Sequence, residues 1–136
     1  MTRLLFLPAL ALAGAACQAL PRPAPTSCPV VSSNDWNAWV NIMPGPNMQP
    51  KLIATGKVTV PSGGYSFRWG DPRVMESYPV QVSVELIPVP PAGPATQALV
   101  THDVRGEWPM QPPVGSFTVT CGARVMARVS PVETAR

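Results

Sequence analysis

The sequence predicts an all-β fold, an antiparallel β-sandwich of about seven strands, and three observations carry that prediction. The first is proline: 19 of 136 residues. Proline lacks an N–H and fixes φ, so helix interiors and central strands exclude it. Between Pro21 and Pro131 no long proline-free stretch carries a helical apolar period. The second is a recurring alternation of apolar and polar residues, the period of a half-buried strand. The third is punctuation: Gly- and Pro-rich turn signals return roughly every 8–15 residues, as in sandwiches.

Trp36, Ala38, Val40 and Ile42 alternate with Asn37, Trp39 and Asn41, and Pro44-Gly45-Pro46-Asn47 stops that strand. Leu52, Ala54, Gly56, Val58 and Val60 share one face of the next strand, with Thr55, Lys57 and Thr59 on the other. Pro61-Ser62-Gly63-Gly64 then turns the chain, its glycines free to take positive φ. Tyr65, Phe67 and Trp69 follow on a common face, so residues 51–69 read as a hairpin. Gly70-Asp71-Pro72 is a turn. Val80, Val82, Val84 and Leu86 form the cleanest alternation, and the stiff loop Pro88 to Pro94 ends it. Ala98, Val100, His102 and Val104 mark a weaker strand before an irregular connection over 106–113. Phe117, Val119 and Cys121 then meet Ala123, Val125, Ala127 and Val129 across a tight turn at Cys121-Gly122. An immunoglobulin-like strand order fits this count, and a small closed barrel is the other architecture it admits.

The chain divides into a signal peptide (1–16), a Pro-rich tether (17–29), the β-sandwich (30–131) and a loosely held tail (132–136). Arg3 supplies a positive start, Leu4 to Leu12 an apolar run, and Gly14-Ala15-Ala16 the small residues of an export signal. The run is too short for a membrane span. The end of this leader, Leu12-Ala13-Gly14-Ala15-Ala16-Cys17, resembles the lipobox of bacterial lipoproteins. That family's pattern is Leu, two small residues, then Cys, and here the spacer is longer by one or two residues. Gly14 and Ala16 also satisfy the small-x-small rule of ordinary signal peptidase, so both cleavages stay open. The lipobox resemblance implies lipidation of Cys17, anchorage in a membrane through that lipid, and, with Gln18 after the cysteine, outer-membrane sorting. Ordinary cleavage implies a soluble periplasmic or secreted protein. Beyond the leader the chain resembles small exported proteins of proteobacteria, a likeness that implies no activity.

The three cysteines are Cys17, Cys28 and Cys121, an odd count for an oxidising compartment. With lipid on Cys17, two remain to pair as Cys28–Cys121; the alternative is two buried free thiols. No CxxC motif or Cys/His cluster supports zinc or redox chemistry, and no cofactor is expected.

The function expected is non-enzymatic: an envelope-tethered binding or structural module. The single histidine, His102, adjoins Asp103, but strand neighbours point to opposite faces and make no relay. No nucleophile elbow, phosphate-cradling loop or dinucleotide fingerprint is present. The seven acids show no local pairing for glycoside hydrolysis and no close spacing for calcium. Basic residues outnumber acidic ones by 10 to 7, but they are scattered and build no nucleic-acid stripe. The candidate binding surface is aromatic. Trp36 and Trp39 lie three apart, so one faces the core and the other the outside, with Trp108 and Arg105 expected nearby in a long loop. The partner expected is an envelope protein or a glycan. Burial is the competing account of the tryptophans, because a small β domain needs its large side chains inside. Two variants of the reading are an accessory subunit of an envelope assembly and an immunoglobulin-like protease inhibitor using loops 43–50, 61–64 or 105–113.

Overall fold

The computed structural model describes residues 27–136. The signal peptide, Cys17 and the tether up to residue 26 lie outside the described residues. Nine strands form two mixed sheets: β1 (Ser32–Asn41), β2 (Lys51–Val60), β3 (Ser66–Trp69), β4 (Arg73–Met75), β5 (Val80–Val89), β6 (Val100–Pro109), β7 (Val114–Cys121), β8 (Arg124–Val129) and β9 (Glu133–Ala135). The front sheet has the order β6-β2-β1-β9 and the back sheet β3-β5-β7-β8, with β4 also on β5. Among the described residues there is no helix.

The β-sandwich read from the alternation is the fold observed. Val40, Leu52, Ala54, Val58 and Val60 of the front sheet meet Val82, Val84, Leu86, Phe117 and Val119 of the back sheet in one core. Each fully buried side chain of this size contributes about 1.5–3 kcal/mol relative to an exposed one.

Details of pairing differ from the sequence reading, for local reasons. The β1·β9 and β5·β7 ladders run parallel, which departs from a wholly antiparallel, immunoglobulin-like arrangement. Period-two patterning sets which way side chains face and leaves the choice of neighbour open. Residues 51–69 are not a hairpin: β2 pairs with β1 and β6, while β3 pairs with β5. The Pro61–Gly64 turn carries the chain between sheets instead, with Gly64 at φ 83°. The strand expected to end near Val104 continues to Pro109. A bulge between Val119 and Thr120 sets two residues of β8, Met126 and a neighbour, against one step of β7, so Val125 turns outward and is 62% exposed. The tail from residue 132 is held after all: Val132 is buried and β9 pairs with β1.

Large aromatics fill one flank of the core because small residues face them. Trp36, Trp69, Trp108 and Phe117 pack in sequence, with ring centroids 6.3, 5.2 and 5.6 Å apart, the first two contacts edge-to-face. Trp36 and Trp108 rise from the inner face of the front sheet itself, where their neighbours are the small residues Ala38, Ala54, Gly56 and Gly106. A Cβ at Gly56 would fall inside the Trp36 indole, and one at Gly106 inside the Trp108 indole. Gly106→Ala should therefore destabilise by about 1–3 kcal/mol through overpacking. Urea unfolding measures it, and an unchanged midpoint would show that the indoles have room to retreat.

The two ends of the sandwich differ. Cys28 and Cys121 meet at disulfide distance, their Cα atoms 5.4 Å apart, as a bond requires. Arg124 donates to the Val30 carbonyl at 2.6 Å beside them. The 61–64 turn, the 90–99 loop and the β7–β8 turn share this end, because Ser32 pairs with Thr59 and Ser66 with Val89. Loops 42–50, 76–79 and 110–113 lie at the far end, where Met110 donates to the Pro50 carbonyl at 3.1 Å.

Candidate binding surface

The outward residues of the front sheet form cross-strand rows fixed by register. Glu133, Trp39, Ile53 and Glu107 make one row across β9, β1, β2 and β6. Asn37, Thr55 and Arg105 flank it on one side, and Asn41, Lys51 and Pro109 on the other. Ile53 faces outward yet is only 3% exposed. On an outer face that requires its row neighbours to fold over it, as cross-strand pairs do.

A bulge in β1 separates the two tryptophans of that strand. The register shifts between Asn34 and Asn37, and Asp35 takes a φ of 55°. Asp35 and Trp36 thus stand opposite the single residue Gly56, and Trp36 turns inward over it. Trp39 stays on the outer face, half-buried. It lines a shallow depression of about 330 Å³ with Asn37, Glu133 and Ala135. Two more depressions open on the same face. One of about 350 Å³ lies among Asp35, Thr55, Lys57, Asp103 and Arg105. The other, of about 400 Å³, lies where Met48 and Pro50 meet Glu107 and Pro109.

Charges on this face pair with one another. Glu107 accepts from Lys51 at 3.1 Å and from Arg105 at 3.0 Å, and Lys57 pairs with Asp103 at 3.3 Å. Hydrogen bonds from Arg105 and then Lys51 hold the Glu107 carboxyl below the usual carboxylate range. A depressed carboxyl contributes stability that is present above its unfolded pKa and lost as pH falls through its folded value. Exposure keeps that contribution small. In a carboxyl-resolved NMR titration, Glu107 should titrate below a free glutamate and move upward in Arg105→Ala. No movement would show that the guanidinium is not the cause.

The structure thus brings together two of the four residues expected at a binding surface. Trp39 and Arg105 share the outer face. Trp36 is turned into the sandwich. Trp108 is not in a loop: it sits in β6, 8% exposed, against Phe117. Gly106 looks in sequence like the start of a connection, whereas it is the space the Trp108 ring needs. Sequence reasoning missed Ile53 as an outer-face residue, and it placed Asn37 and Asn41 on the face of Trp39 without counting them in the binding surface. Their alternation with the core residues was the available signal.

His102 faces inward across from Val58, its ring 5.3 Å from Phe67 and its Nε2 buried without a partner. Asp103 faces outward to Lys57. The two do not meet. Among the described residues no group of three or more His, Cys, Asp and Glu side chains lies close enough to hold a metal. Of the loops considered for inhibition, 43–50 lies at the far end of the sandwich and 61–64 at the other, while residues 105–109 of the segment 105–113 are strand β6 and only 110–113 are loop, at the far end. No protein-family model matches the chain, and no curated protein or solved structure matches it either.

Proposed function

We propose that the chain is a non-enzymatic binding module of the bacterial envelope, tethered through lipid on Cys17, with its ligand surface on the outer face of the front sheet. The observation that carries the reading is the placement of Trp39. It is the one member of the tryptophan pair left outside, in the middle of a polar face and beside a depression. Aromatic side chains in such settings supply much of the binding energy at recognition surfaces. The small-residue leader and the odd cysteine support the tether, and a lipid contributes about 0.8 kcal/mol per buried CH₂.

Site-specific photocrosslinking in the native envelope tests the surface. A photoreactive residue at Thr55, on the proposed face, should capture a ligand, while one at Thr118, outward on β7, should not. Equal capture at both positions would remove the assignment. Intact mass of the native protein tests the tether: a lipid-modified Cys17 supports it, and an unmodified amino terminus ends it.

A further inference from the structure

We infer that the outer face of β1 seats a neutral polysaccharide chain, one sugar ring against the Trp39 indole and its hydroxyls on the side-chain amides of Asn37 and Asn41. This rests on the binding reading above and names its ligand class.

Asn37, Trp39 and Asn41 face outward at alternate positions of one strand. At about 3.3–3.4 Å per residue, each amide lies about 7 Å along the strand from the indole. Both amides are held in a definite state. Asn37 Oδ1 accepts from the Ala38 N–H at 2.9 Å, and Asn41 Oδ1 accepts from the Met43 N–H at 3.0 Å. With the oxygens engaged, the NH₂ groups are the donors left for a ligand. Glu133, in the same row as Trp39, supplies acceptors, and Thr55, beside Asn37, a hydroxyl. A sugar hydroxyl both donates and accepts, so it uses both kinds of partner. The apolar C–H face of a sugar ring packs on an indole as other flat apolar surfaces do.

Charge and backbone narrow the class. The face carries Lys51, Lys57 and Arg105 against Asp35, Asp103, Glu107 and Glu133, three positive groups to four negative. Five of those seven, including all three cations, are in ion pairs with one another. An anionic ligand would have to break those pairs to reach a cation, whereas an uncharged one leaves them intact. A peptide added as an extra strand needs an open edge, and at Trp39, Val40 and Asn41 β1 is hydrogen-bonded on both sides, to β2 and to β9. The depressions on either side of the β1–β2 pair give a ligand longer than one sugar more than one point of contact.

Affinity electrophoresis of the full chain, through gels holding a soluble β-glucan, galactomannan or xyloglucan, tests the inference, with alginate as the anionic comparison. At least one neutral polymer should retard the protein more than alginate does. The paired substitution Asn37→Asp and Asn41→Asp keeps both backbone hydrogen bonds and removes both donors. It should weaken retardation about tenfold or more, as Trp39→Ala should. Thr118→Ala should change nothing. Because Trp39→Ala also uncovers Ile53, the aspartate pair is the decisive variant if the alanine protein unfolds. Retardation by no neutral polymer, or equal retardation of the aspartate variant, overturns the inference. Crosslinking at Thr55 without glycan retardation would leave the binding reading standing and remove only the glycan.

Discussion

Trp108→Ala should lower stability by about 3–5 kcal/mol, a large part of the total for a chain of this length. The indole is 8% exposed and touches both Trp69 and Phe117. The ring lies over Gly106, which has no side chain to fill the space, and Leu52 across the sheet and Phe117 beyond it are already fully buried in the core. Collapse is further opposed by Trp69, whose Nε1 donates to the Arg105 carbonyl at 3.0 Å and so ties β3 to β6. The measurement is urea unfolding followed by far-ultraviolet circular dichroism. A loss below about 1 kcal/mol would mean that the surroundings relax into the gap and that Trp108 is not a packing anchor. The surface charges should be unaffected, so the Glu107 titration of this variant should stay that of the parent protein while it remains folded.

The second large effect belongs to the Cys28–Cys121 link. Its loop spans 93 residues, and the chain-entropy model assigns such a loop about 4–5 kcal/mol, before any strain in the native state. Cys28→Ser with Cys121→Ser should lower the melting temperature strongly, and a reducing agent should do the same to the parent protein. Cys121 is 1% exposed, so serine there also buries a hydroxyl. Cys28→Ala with Cys121→Ala separates the two effects: the alanine pair should retain most of the loss. If both cysteines of the oxidised native protein were alkylated without unfolding, the link would not exist in solution.

These expectations show which parts of the fold were readable before the structure. Facing was legible wherever a strand kept strict alternation. Val82, Val84 and Leu86 are buried as their pattern required, and Trp36 and Trp39 part to opposite faces. Facing was misread where a bulge inserts a residue, as at Met126, because a bulge leaves no mark in an apolar pattern. Pairing was hardly legible. Pro61–Gly64 has the composition of a hairpin turn, yet the same glycine freedom serves a crossing between sheets. Which of the two forms depends on the distant partners β5 and β6. The binding face was half legible for a related reason. Trp108 and Trp39 are alike as letters, and what separates them is the glycine two residues before one and the asparagines on either side of the other. Arg105 was placed near the right surface through an adjacent loop that proved to be strand.

The disulfide at the entrance to the sandwich also sets a path for mechanical load. Tension arriving along the chain at Cys28 would, without the link, pass directly into β1 and peel it from β2. The row from Asn37 to Asn41 would distort with it. Through the link, tension passes instead to Cys121 at the end of β7, an interior strand of the other sheet, bonded to β5 on one side and β8 on the other. Several ladders must then yield together rather than one bond at a time.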